Sequence, residues 1–107
     1  MSRHQQLLLK QDLTISQILR TYGKQFKQIS NRYSDGENGR CAVGVIMSYF
    51  GWDGSDIVKT VNSLLAAADM LKQAGIDEDL LIDLNDSGYS FDEMADYFDG
   101  ARDLISN

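Results

Sequence analysis

Apolar residues return every three or four positions along almost the whole of this chain, and that spacing leaves it few folds. Ile15, Ile18, Leu19, Tyr22, Phe26, Ile29 and Tyr33 make a first row. Cys41, Ala42, Val45, Ile46 and Tyr49 make a second, and Ile57, Val58, Val61, Leu64, Leu65, Ala68 and Leu71 a third, the longest. A short row through Leu80, Leu81 and Leu84 follows, and a last one runs through Phe91, Met94, Ala95, Phe98 and Leu104. Side chains three and four apart share a helix face, so each row predicts an amphipathic helix with one buried stripe. No stretch alternates long enough to predict a sheet, and the chain has no proline to force a kink. The expected fold class is all-α, a compact bundle of about five helices with a helix–loop–helix at residues 77–99.

The punctuation between the rows agrees. Thr14-x-x-Gln17 reads as a capping box for the first helix, although Gly23 weakens its middle by about 1 kcal/mol relative to alanine. Residues 34–40 are turn-rich. Gly51 and Gly75 are placed to end helices, and Ser55 and Asp77 to begin them. Gly44 reads as a close helix–helix contact. At 107 residues the chain is expected to form a single domain. Residues 1–12 read as a mobile N-terminal arm, whose Leu7-Leu8-Leu9 run is too short to span a membrane. A single cysteine excludes an internal disulfide, and Cys41 and His4 alone cannot build a structural zinc site. These features lead to the expectation of a soluble, cytoplasmic protein.

Charge is divided along the chain. Residues 1–40 carry seven Lys and Arg against three acids, whereas residues 77–107 carry one Arg against ten acids. The acidic end repels itself unless it meets cations or the basic half.

That acidic end holds a run with alternate side-chain oxygens, Asp83-Leu84-Asn85-Asp86-Ser87-Gly88-Tyr89-Ser90-Phe91-Asp92-Glu93. A hard cation such as calcium takes six to eight oxygen ligands from a sharply bent chain. The run resembles an EF-hand loop. The resemblance implies Asp83, Asn85 and Ser87 as side-chain ligands, Gly88 at the bend, and Tyr89 through its carbonyl. Ser90 would act through water and Glu93 as the closing bidentate carboxylate. An EF-hand has a further apolar residue between the positions matched by Tyr89 and Ser90, so this loop is one residue short. It implies a single calcium site with a structural or modulatory role. The same residues also make a capping box, Ser90-x-x-Glu93, on a helix that opens at Phe91.

Two further patterns bear on function. Arg20, Lys24 and Lys27 share one face of the expected first helix, a row suited to nucleic-acid phosphates or to a protein partner. Residues 14–33 resemble a helix-turn-helix with Gly23 at the turn. Cys41-Ala42-Val43-Gly44 resembles a C-A-x-G helix of small microbial proteins, some of which carry a later N-D-x-G segment like Asn85-Asp86-Ser87-Gly88. That likeness implies no activity. Cys41 reads as a small core residue with no paired base, no phosphate-binding glycine loop is present, and the chain is not expected to be an enzyme. The first functional reading is therefore a calcium-binding protein. The second is a nucleic-acid or protein-interaction domain using residues 20–27.

Overall fold

Helix α2 (Ala42–Tyr49) has almost no solvent face, since residues 42–47 and Tyr49 are all buried. A helix apolar on every side must lie inside the structure. Helices α1 (Ile15–Thr21), α3 (Ile57–Gln73) and α4 (Glu78–Asp86) pack around it. Helix α5 (Phe91–Ser106) lies chiefly against α1 and also touches α4. The computed structural model describes the backbone of residues 13–106 and the side chains of residues 13–100. The N-terminal arm 1–12, with His4 and the Leu7-Leu8-Leu9 run, and the Leu104 side chain lie outside the described residues. Among those described, five α-helices form and the fold is mostly helical, as the rows predict.

The all-α expectation needs one correction. Strands β1 (Lys27–Gln28) and β2 (Gly39–Arg40) pair in parallel, Lys27 with Gly39 and Gln28 with Arg40. The first apolar row therefore breaks. α1 stops at Thr21, a 3-10 turn occupies Tyr22–Gln25, and Phe26 is extended. At Gly23 a Cβ would lie 2.8 Å from the ring of Phe91, so the turn passes close over the start of α5. Beyond it, Lys27 N–H donates to Asn38 and Ile29 N–H to Arg40, both at 3.0 Å. These backbone groups find partners across the loop instead of along a helix. Residues 27–40 hold no second helix, which corrects the helix-turn-helix likeness.

The third row is corrected in its orientation. Asp56, not Ser55, caps α3, its carboxylate accepting Lys59 N–H at 3.0 Å. Gly75, at φ 73°, ends the helix as expected. The buried residues of α3, however, are Ser63, Ala67 and Leu71, with Leu64 and Met70 half-buried. Small side chains at 63 and 67 let the helix lie close to its neighbours. Ile57, Val58, Val61 and Leu65, expected in the core, face out.

Gly44 also differs from its expected use. Its neighbour is the backbone of the loop before β2, not another helix. A Cβ there would run into the carbonyl oxygen of Tyr33, which already accepts Cys41 N–H. Gly44→Ala should therefore cost about 1–3 kcal/mol, the usual range for overpacking a tight site. Gly100 has open space around it, and Gly100→Ala should stabilise α5 by about 0.5–1 kcal/mol. Denaturant unfolding of both variants beside the wild type checks the opposite signs.

Candidate functional site

Residues 83–93 end one helix and begin another. Asp83, Asn85 and Asp86 belong to α4, and Ser87 is its C-cap. Gly88 takes φ 99°, and Tyr89 N–H reaches back to Leu84 at 3.1 Å, closing the helix end. Ser90 and Glu93 then form the capping box. Glu93 N–H donates to the Ser90 hydroxyl at 3.0 Å, and Ser90 N–H donates to the Glu93 carboxylate at 2.9 Å. Asp83, Ser87, Tyr89, Ser90 and Glu93 are exposed, whereas Asn85 is 3% exposed and turned inward. Successive residues of a helix point about 100° apart, so Asn85 is turned to the side opposite Asp83 and Ser87 and cannot share a ligand face with them.

The side chain of Asn85 joins three segments. Its amide N–H donates to Ile29 C=O at 2.8 Å. Its oxygen accepts from Gln28 Nε2 at 2.9 Å and from Ala42 N–H, at the start of α2, at 3.1 Å. Gln28 extends the network, donating to Tyr89 C=O at 2.6 Å and accepting Phe91 N–H at 3.1 Å. The C-A-x-G and N-D-x-G segments of the sequence thus meet through Ala42 and Asn85. For a cation to take the full EF-hand ligand set, the last turn of α4 has to open and Asn85 has to release Gln28 and Ala42. Among the described residues, no group of three or more His, Cys, Asp or Glu is placed to hold a metal ion.

A second buried polar centre leaves little local signature in the sequence. Arg40 is 3% exposed, and its guanidinium donates to the Ser34 and Ser48 hydroxyls and to the carbonyls of Glu37, Gly39 and Asp53. It also lies 4.6 Å from the Phe26 ring centroid and 5.4 Å from that of Trp52. Burial pushes its pKa down, while Asp35 and Asp53 oppose that shift. Backbone N–H donors hold both of those carboxyls below the usual range, Glu37 and Gly39 at Asp35, Ser55 and Asp56 at Asp53. The sequence signal was a lone arginine joined to the apolar Cys41–Ile46 run and flanked by turn residues.

A cleft of about 430 Å³ lies beside this region, between Tyr33, the start of α2 and Ile82. Cys41 is part of its wall and caps α2, its sulfur accepting Gly44 N–H at 3.4 Å. Burial pushes the thiol pKa up, which disfavours the nucleophilic thiolate.

The basic row of residues 20–27 does not form one helical face, because α1 ends before Lys24. Arg20 donates to Asp99 at 2.7 Å and Asp96 at 2.6 Å on α5. These hydrogen bonds raise its pKa, with Asp99 the larger influence. Lys24 and Lys27 are exposed.

The remaining feature is the outer face of α3. Ile57 is 81% exposed, Val58 72%, Val61 55% and Leu65 65%. Along this helix the charges balance, Lys59 and Lys72 against Asp56 and Asp69.

Asn85→Ala should lower stability by about 3 kcal/mol, because it strands the Ile29 carbonyl and the Ala42 N–H as well as Gln28. For a domain of this size that is a loss of more than about 10 °C in Tm. Calcium ligation by Asn85 has its own signature. The Ile29 and Ala42 amide resonances have to move together with those of residues 83–93. A millimolar calcium titration that leaves Ala42 in place takes Asn85 out of the ligand set. No family model, curated protein or solved structure matches this chain.

Proposed function

We propose that this protein is a small protein-interaction domain that presents the outer face of α3 to a partner. The observation carrying this reading is the row Ile57, Val58, Val61 and Leu65, all more than half exposed on one well-capped helix. Single exposed aliphatic residues are ordinary, but a contiguous apolar row marks a contact surface. The anchoring of α3 lies elsewhere, in Ser63, Ala67 and Leu71 and in Trp52, whose indole N–H donates to Thr60 at 2.6 Å. The interaction reading keeps the class expected for residues 20–27 and moves it to another surface. Arg20 is already engaged by two carboxylates, which leaves the basic row a weaker phosphate site.

The double substitution Val61→Lys/Leu65→Lys should leave unfolding in dilute solution within about 0.5 kcal/mol of wild type, as surface changes do. A photo-crosslinking residue at 61 or 65 should form protein adducts in cells, while the same group at the exposed Lys24 position should not. Absence of adducts at both α3 positions removes this reading, and adduct masses separate a second copy from another protein.

A further inference from the structure

We propose that the partner of the α3 face is the same face of a second copy, the two helices running antiparallel. This rests on the reading of α3 as an interaction surface and names its occupant.

The spacing of the face points to a helix as the opposing element. Val58, Val61, Leu65 and Ala68 follow one another at steps of three, four and three, the seam spacing by which two helices interlock side chains. Ile57 flanks that seam. A second copy carries the complementary seam by construction, and a two-fold contact needs one surface to match itself.

Charge selects the direction. Lys72 continues the seam one step past Ala68, and Asp53 and Asp56 stand where the chain enters the helix. Parallel pairing would set Lys72 against its own copy. Antiparallel pairing about Ser63 brings Val61 to Leu65 and Val58 to Ala68. It also brings each Lys72 to the partner copy's Asp53 and Asp56, giving two symmetric attractions. An anionic membrane is a poorer occupant, because the flanks of α3 carry as many acids as lysines and membrane-surface helices are rich in Lys and Arg.

Area sets the strength. A helix of 17 residues is about 25 Å long. One such pair sits near the lower bound of specific interfaces, about 1,000 Å² in total. The expected complex is a reversible dimer with a Kd in the micromolar range.

Sedimentation velocity of the full chain from about 1 µM to 1 mM should show a monomer giving way to a dimer. Leu65→Lys should weaken association at least tenfold while near-UV circular dichroism stays native. Lys72→Glu should weaken it too, by placing an acid opposite Asp56. For direction, an equimolar mixture of Val58→Cys and Ala68→Cys proteins should oxidise to a mixed disulfide dimer, with each variant alone crosslinking poorly. Cys41, buried at the start of α2, stays out of reach. A wild type that stays monomeric at 1 mM overturns self-pairing. The interaction reading then still stands if photo-crosslinks at 61 and 65 capture a different protein, and falls with self-pairing if they capture none. Association unchanged by Leu65→Lys overturns the proposed surface, and efficient crosslinking of either variant alone overturns the antiparallel arrangement.

Discussion

The arrangement of this molecule depends on one buried amide. Asn85 sits on the inward face of α4 among Leu81 and Leu84, where an apolar side chain would be ordinary. An unpaired amide there would carry the full desolvation cost, and three hydrogen bonds to Ile29, Gln28 and Ala42 remove it. The same bonds fix where α4 ends relative to β1 and where α2 begins. Gln28 carries the tie onward to Tyr89 and Phe91, so the start of α5 is set by the same network. Hydrophobic packing alone would let these helices slide; a set of directional bonds in a dry site specifies one register.

Arg40 does similar work on the other side of α2, with a different chemistry. Its charge is buried with no carboxylate of the described residues in a salt bridge to it, and neutral oxygens from three segments, the 34–39 turn, Ser48 and Asp53, take its N–H groups while two aromatic rings lie against it. Carbonyls and hydroxyls are fixed by the backbone around them, so the guanidinium organises loops that have little apolar surface of their own. Gly54 belongs to this arrangement, since a Cβ there would meet the guanidinium at 2.5 Å. The turns of residues 34–39 and 53–55 are thus folded around a cation supplied by the chain itself.

Much of this was legible in the sequence where the controlling interactions are local. Both capping boxes form as their spacing implies, Asp77 caps α4, and the glycines at 51 and 75 take the positive φ that ends a helix. The failures are non-local. Ile29 and Tyr33 keep helical spacing, yet the backbone at Lys27 and Ile29 is claimed by residues 38 and 40, which no local pattern announces. On α3 the spaced apolar residues cover a wider arc than the face that packs, and composition cannot reveal that Ser63 and Ala67 are the residues that fit against the bundle. At 83–93 the sequence shows the alternate oxygens but not that Asn85, the most central of them, is turned inward to Ile29, Gln28 and Ala42.

The pairing of α1 with α5 has a consequence for how the chain is made. Ser16 and Arg20 meet residues 95–99, and Gly23 meets Phe91, contacts that reach across as many as 79 positions. On a ribosome adding about 5–20 residues per second, α1 waits on the order of several seconds for the helix that covers it. Ile15, Ile18 and Leu19 spend that interval without their final neighbours on α5, and loops this long close slowly. Of the five described helices α1 is made first, and it is among the last to be completed.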